Sequence, residues 1–433
     1  MSQATRILIA LIGGIAIGIL AAALAPSQAI AVTAVTQPIG SAWLHGLQMV
    51  IVPLIVSLLV TGIGATAEAA RAGRITIRAL VMMVAILWAV TIMSALVTPL
   101  LLEAWPLPAG LAGALRTALT TTAPVGSVPG IGAFFDTIVP TNVVAAAAGD
   151  AFLPLTVFAL AFAFAVTQLP EAQRSILTGF FQAVVDALLI VIGWVLKLAP
   201  IGIFALAYGV GARTGTAAFG ALVHYIVCVS AIGVVVLIAA YPVGMIGGRV
   251  RFGRFARAVA PAQAVAISTQ SSLASLPAML KGSVELGASP ATAGIVLPLA
   301  VAVFRATSPA MNLAVALYVA HLVGVPIGPG QLAAGVATAA ITTMGSVSLP
   351  GTISYIASVA PVAFAMGVPI EALGLLIAVE TIPDLFRTVG NVTMDIAITV
   401  GLGRVRGTTP FVPSEVEGPQ RDGGVASSLD TNG

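Results

Sequence analysis

The sequence predicts an all-α integral membrane protein, and three observations carry that reading. Of its 433 residues, 59% are hydrophobic and only 8% charged, too few polar groups to coat a soluble domain. The apolar residues fall in runs near the spanning length of about 20 residues, without the short alternating segments of a barrel. One such run, from about 370 to 402, carries charges in helical register.

In chain order, apolar runs at about 6–25, 44–65, 79–102, 145–167, 178–209 and 219–247 predict six helices with short connections. The first run has the look of a signal peptide, but its length and the lack of a soluble domain behind it favour an uncleaved helix. The segment 120–142, with Pro124, Pro129 and Pro140, reads as broken helices or a loop. Glycine and proline, at 45 and 27 copies, exceed the needs of plain spans and point to breaks and close packing. Cys228 is the only cysteine, which excludes an internal disulfide and a cysteine metal cluster, and it reads as a small buried hydrophobe. His45, His224 and His321 lie in different spans and predict no metal site.

Basic residues alternate along the chain. Arg71, Arg74 and Arg78 follow the second run, Arg174 the fourth, Arg249, Arg251, Arg254 and Arg257 the sixth, and Arg404 and Arg406 the last. The intervening loops hold almost none: none lies between Pro26 and His45, Arg116 is alone after the third run, and Arg213 is alone after the fifth. By the positive-inside rule both termini are cytoplasmic. These clusters are orientation signals, and none reads as a nucleic-acid patch. Glu103, Asp136 and Asp150 read as water-facing outer-loop residues. The tail 407–433 turns polar and predicts disorder.

Beyond residue 255 the runs are interrupted by Ser, Thr, Gly and Pro. Ser268 to Pro277 and Thr342 to Gly351 look alike: both contain Ser-Leu-Pro inside an apolar segment too short to span twice. Paired broken segments of this kind are the sequence mark of a transporter's substrate site, where helix ends and free carbonyls replace hydration shells. Between 370 and 402, Glu380, Asp384, Arg387, Asn391 and Asp395 share one stripe, less than a quarter of the circumference at about 100° per residue. Charges at membrane depth are costly unless they pair or line a pathway, so the stripe reads as a binding site. The plainer alternative is a structural ion-pair seam such as Asp384 with Arg387.

Gln48 to Ile55, Val139-Pro140-Thr141-Asn142, Ala199 to Leu206, the two Ser-Leu-Pro tips and Asp384 to Asp395 together resemble the dicarboxylate/amino acid:cation symporters, the glutamate transporter family, over nearly the whole chain to about Arg404. The resemblance implies eight transmembrane helices plus two re-entrant helical hairpins, built as inverted repeats, within one membrane domain spanning 1–406. It also implies a homotrimer in the lipid bilayer. Scaffold helices at about 6–65 and 117–209 would hold an elevator-like transport domain formed by about 79–102, 219–247 and 255–404. Arg387 matches the arginine that clamps the substrate's side-chain carboxylate, a job suited to guanidinium geometry. Asp384 matches the aspartate that receives the substrate's amino group. That position is typically not an aspartate in the family's C4-dicarboxylate carriers, so an acidic amino acid is favoured. Thr388 and Asn391 match further substrate contacts, and Asn391 with Asp395 a sodium site. Ser271 and Ser272 match the first hairpin tip. The segment Gly345 to Gly351, with Ser346 and Ser348, matches the second, which acts as the gate.

One departure stands out. The family's seventh helix carries Asn-Met-Asp-Gly-Thr, whose acid and amide bind sodium. Counting from Leu297-Pro298-Leu299, those positions hold Phe304, Arg305, Ala306, Thr307 and Ser308; counting back from Ala316-Leu317-Tyr318, they hold Met311 to Val315. Neither count restores an acid. Arg305 is accordingly expected to stand in for a lost sodium ion by neutralising Asp395 or Glu380, with coupling through fewer sodium ions or through protons at Glu380 or Asp384. The plainer alternative is that Arg305 pairs with Glu380 or snorkels to an interface.

The expected function is symport of a small acidic amino acid, aspartate or glutamate, with Na+ or H+ across a bacterial inner membrane, without a cofactor. Alternatives are a C4-dicarboxylate symporter and a non-transporting or anion-conducting relative. An intramembrane enzyme is disfavoured because the chain has no His-Glu-x-x-His, Gly-x-Gly-Asp or Gly-x-Ser-x-Gly motif.

Overall fold

A computed structural model describes residues 3–71, 73–107, 139–149, 152–215, 217–345 and 352–403, and the described secondary structure is helical. Six helical stretches among these residues, two of them interrupted, are long and apolar enough to cross a membrane: Thr5–Leu24, Pro26–Glu68, Arg74–Ala104, Glu171–Lys197, Phe219–Gly248 and Pro290–Val323. Tail residues 407–433 and most of 120–142 lie outside the described residues.

The chain begins with α1 (Gln3–Leu24), α2 (Pro26–Gln48) and α3 (Ile51–Arg71). The stretch between Pro26 and His45, expected as a loop, is helical. Its Thr, Ser and Gln residues lower its hydropathy, but its alanines favour a helix and Pro26 fits the first turn. It buries Ala29, Thr33, Gly40, Trp43, Leu44 and Leu47, and Trp43 donates from Nε1 to the Val195 carbonyl at 3.1 Å. Next come α4 (Arg74–Ala104), α5 (Val143–Ala148), α6 (Phe152–Gln168), α7 (Glu171–Lys197) and α8 (Ala199–Thr214). The apolar run 178–209 is therefore two helices. They part at Leu198, and Pro200 occupies the first turn of α8, where its missing N–H costs nothing.

The rest comprises α9 (Ala217–Gly248), α10 (Phe252–Thr269), α11 (Leu276–Glu285), α12 (Pro290–Val303), α13 (Thr307–Val323), α14 (Pro329–Gly345), α15 (Thr352–Ala365), α16 (Glu371–Leu376) and α17 (Thr381–Gly403). Two pairs, α10 with α11 and α14 with α15, pack on each other across the interruptions noted in the sequence. Near the start of the chain, α1 and α2 pack on α8, and α3 packs on α6 and α7. The other centre is α17, which packs chiefly on α9 and also meets α4, α10, α11, α12 and α13. It is buried along nearly its whole length. By contrast α7 exposes Ile176, Phe180, Ile190 and Trp194, an apolar outer face.

Candidate functional site

The predicted stripe is buried, with Glu380 and Arg387 each 2% exposed and Asp395 0%. It does not lie on one unbroken helix. Residues 377–380 form a turn between α16 and α17, and Glu380 sits just ahead of α17, whose first turn closes through Asp384 N–H to the Glu380 carbonyl at 2.9 Å. Both acids stand at the positive end of the helix dipole, which favours them.

Arg387 reaches back two turns. Its Nη2 donates to Glu380 Oε1 at 2.5 Å and its Nη1 to Asn312 Oδ1 at 3.1 Å, while its Nε stands 3.6 Å from Asp384 Oδ1. Although buried, Nε makes no hydrogen bond. The other oxygen of Glu380 accepts from the Tyr225 hydroxyl at 2.8 Å, and Tyr225 lies 3.1 Å from the Tyr355 hydroxyl. The seam foreseen between Asp384 and Arg387 thus exists only as a loose pair, and Glu380 holds the closer contact.

Asn391 serves as a helix cap supplied from another element. Its Oδ1 accepts from the backbone N–H of Thr307 at 2.8 Å. Thr307 opens α13, so this bond satisfies one of the amides a helix start leaves without an intrahelical partner. The approach needs Gly390: a Cβ there would stand 2.5 Å from Thr307 Oγ1. Thr388 spends its hydroxyl proton on the Asp384 carbonyl at 2.9 Å. Both carboxylate oxygens of Asp395 lack a hydrogen-bond partner. A fully buried carboxylate in that condition is suited to a cation or a proton.

The break between α12 and α13 falls at Phe304, Arg305 and Ala306, the positions reached by counting from Leu297, whereas Met311 to Val315 lie within α13. Arg305 is buried there, and Arg387 and Asp384 are among the charges near it. The expected neutralisation of Glu380 or Asp395 by Arg305 is not formed. Arg387 has taken Glu380, and the Asp395 oxygens are unpartnered.

The first hairpin tip comes to the start of α17. Gln270, in the left-handed conformation that ends α10, donates to the Thr381 carbonyl at 3.4 Å. Ser271 accepts from the Ala274 N–H at 3.2 Å, and Ser272 is buried. Further back, Gln263 bonds Thr393 at 2.9 Å and Tyr241 at 3.2 Å. Ser346 and Ser348 lie outside the described residues. His224 bonds Tyr318 and the Trp105 carbonyl. Tyr225, Tyr355, Asn312 and Gln270 were not singled out from the sequence. The signal available was a lone hydroxyl or amide in an apolar run, which needs a partner once buried.

An all-helical protein with apolar spans, a broken helix and a buried ionic cluster beside that break defines a membrane transport protein. The chain belongs to the sodium:dicarboxylate symporter family, whose family model matches residues 4–405. It is 26% identical over 405 residues to the proton/glutamate-aspartate symporter of Escherichia coli (strain K12), covering 90% of each chain. It is 25% identical over 399 residues to the C4-dicarboxylate transport protein of Deinococcus radiodurans, covering 90% of this chain and 87% of the relative. It is 24% identical over 390 residues to the proton/sodium-glutamate symport protein of Bacillus subtilis (strain 168), covering 88% of each. Relatives of both substrate classes match at similar identity, and their names include proton and proton/sodium symport.

Proposed function

We propose that this protein is a secondary active symporter for aspartate or glutamate, binding its substrate at Arg387 and Asp384. The observation that carries the reading is the Arg387 Nε: a buried donor without an acceptor, beside a buried carboxylate, next to a helix break and a hairpin tip. A guanidinium takes a substrate carboxylate and Asp384 takes an ammonium group, so the pair matches an acidic amino acid. Thr388, Asn391, Ser271 and Ser272 are the further proposed substrate contacts, and the resemblance adds Ser346 and Ser348, which lie outside the described residues. The coupling ion, sodium or a proton, is received at Asp395 with Asn391 beside it, and Arg305 and Glu380 tune the charge balance. No covalent chemistry is needed, because coupling is the joint affinity of two conformations for substrate and cation.

The architecture that goes with this function has eight transmembrane helices and two re-entrant hairpins, assembled as a homotrimer in a bacterial inner membrane with both termini cytoplasmic. The transport elements, about 79–102, 219–247 and 255–404, move as an elevator against the scaffold. A second reading, C4-dicarboxylate symport, is favoured by one observation: Asp384 already stands 3.6 Å from a guanidinium nitrogen and so has a counter-charge without an ammonium group.

The test is uptake of labelled aspartate and succinate into liposomes under an inward sodium gradient, an inward proton gradient, or neither. Aspartate uptake that is lost in Arg387→Ala and Asp384→Ala supports the first reading. Succinate uptake that survives Asp384→Ala supports the second, and movement of neither compound refutes both.

A further inference from the structure

The apolar stretch Phe219–Gly248 is long enough to cross a membrane, and the turn from α9 into α10 that follows it carries Arg249, Arg251, Arg254 and Arg257. A turn at the end of such a span stands at the level of the lipid headgroups. All four arginines are exposed, and so is Lys281 on the adjoining α11. From 249 to 285 the chain holds these five cations and one acid, Glu285. Arg254 donates to the main-chain carbonyl of Glu285 at 2.8 Å, and among the described residues no carboxylate pairs with any of the five. At spacings of three, Arg251, Arg254 and Arg257 share one face at the start of α10. Arg249 has φ 47°, in the left-handed region where glycine carries no steric cost, so the turn itself does not call for an arginine.

Apolar side chains flank the cations: Ile246 is 78% exposed and Phe252 59%. Exposed apolar groups beside unpaired cations suit a surface that sinks into the bilayer boundary and meets negative charge there. We propose that this corner binds the headgroups of anionic phospholipids, with Arg249, Arg251 and Arg257 on the phosphates and Ile246 and Phe252 in the acyl region beneath. Arg254 is held by α11, and its bond ties the lipid-bound corner to the base of the first hairpin. The rival occupant is the chain's own tail, since residues 407–433 hold four acids and one arginine. The tail follows α17, and a Cβ on Gly247 would stand 3.0 Å from the Gly401 Cα of that helix, so it starts near the corner. The bilayer is the better match, because it offers negative charge and apolar depth together.

The test uses full-length protein in phosphatidylcholine bilayers that carry a trace of photoreactive phosphatidylglycerol, with crosslinked peptides located by mass spectrometry. Label is expected on peptides covering 246–257, displaced by unlabelled phosphatidylglycerol but not by more phosphatidylcholine, and weakened in about 1 M salt. Label in the wild type that avoids these peptides, or that either lipid displaces equally well, overturns the proposal without recourse to a variant. The triple change Arg249→Gln, Arg251→Gln and Arg257→Gln leaves the Arg254 bond in place and is expected to lower labelling by about tenfold or more. The double change Arg74→Gln and Arg78→Gln removes charge elsewhere and is expected to leave it unaltered. Labelling that survives the triple change, or that falls equally with the double change, overturns the proposal. Displacement by soluble glycerol phosphate as effective as by the lipid does the same. Labelling that appears only once Glu415, Glu417, Asp422 and Asp430 are neutralised in the full chain assigns the corner to the tail and also overturns it.

Discussion

Replacing Asn391 with alanine tests whether the break between α12 and α13 is held closed from α17. The Thr307 amide is buried and donates to Asn391 Oδ1 at 2.8 Å. Without that acceptor it becomes an unsatisfied buried donor, which costs about 1–3 kcal/mol, in line with about 1 kcal/mol for loss of an ordinary helix cap. A central value of about 2 kcal/mol favours local opening of the start of α13 by about 30-fold. Hydrogen exchange of peptides covering 304–310, in protein reconstituted in lipid, reads this directly, and protection at the Thr307 amide is expected to fall by that factor. Asn391→Asp keeps an acceptor at the same place and is expected to keep the protection. Exchange in Asn391→Ala equal to wild type, in protein that is otherwise folded, would refute the capping argument.

Other consequences are as direct. Arg387→Ala strands Glu380 and Asp384 in the interior and is expected to destabilise the protein by about 3–5 kcal/mol; adding Glu380→Gln should recover part of the loss in a thermal denaturation series. Gly390→Ala brings a methyl group to 2.5 Å from Thr307 Oγ1 and is expected to cost about 1–3 kcal/mol, with Thr307→Ala as the relieving second change. Asp395→Asn removes an unpartnered buried carboxylate, so it is expected to raise thermal stability in choline chloride and to abolish any extra stability conferred by sodium chloride. Stabilisation by sodium that is the same in both proteins would count against Asp395 as the ion site. Trp43→Phe loses the bond to the Val195 carbonyl and is expected to lower stability by about 1 kcal/mol, measurable by the same thermal assay.

The buried stripe on α17 was legible because helical period and residue type speak together: five polar residues in register inside an apolar run have few other meanings. The pairing within it was not. Local spacing favours Asp384 as the partner of Arg387, one turn away, but the choice of Glu380 depends on Tyr225 and Tyr355, which reach it from α9 and α15. The same limit applies to Asn391, whose bond to the Thr307 amide joins residues 84 apart in sequence and has no local signal. The break at Phe304 to Ala306 was ambiguous for a different reason, since two counts from apolar landmarks disagreed and no acid marked the spot. Helix α2 was hidden by its own threonines and glutamines, which look like a loop to a hydropathy scan yet are tolerated on a helix whose buried side meets α8.

The first hairpin is fastened to α17 at two heights, by Gln263 on Thr393 and by Gln270 on Thr381. Lifting it would break both bonds and leave the buried Thr393 hydroxyl with only its own donation to the Val389 carbonyl at 2.7 Å. The two bonds tie α10 to α17 at both ends of the stretch that carries Arg387 and Asn391. A change at either glutamine is therefore expected to loosen α10 from α17 while leaving the Glu380–Arg387 pair in place.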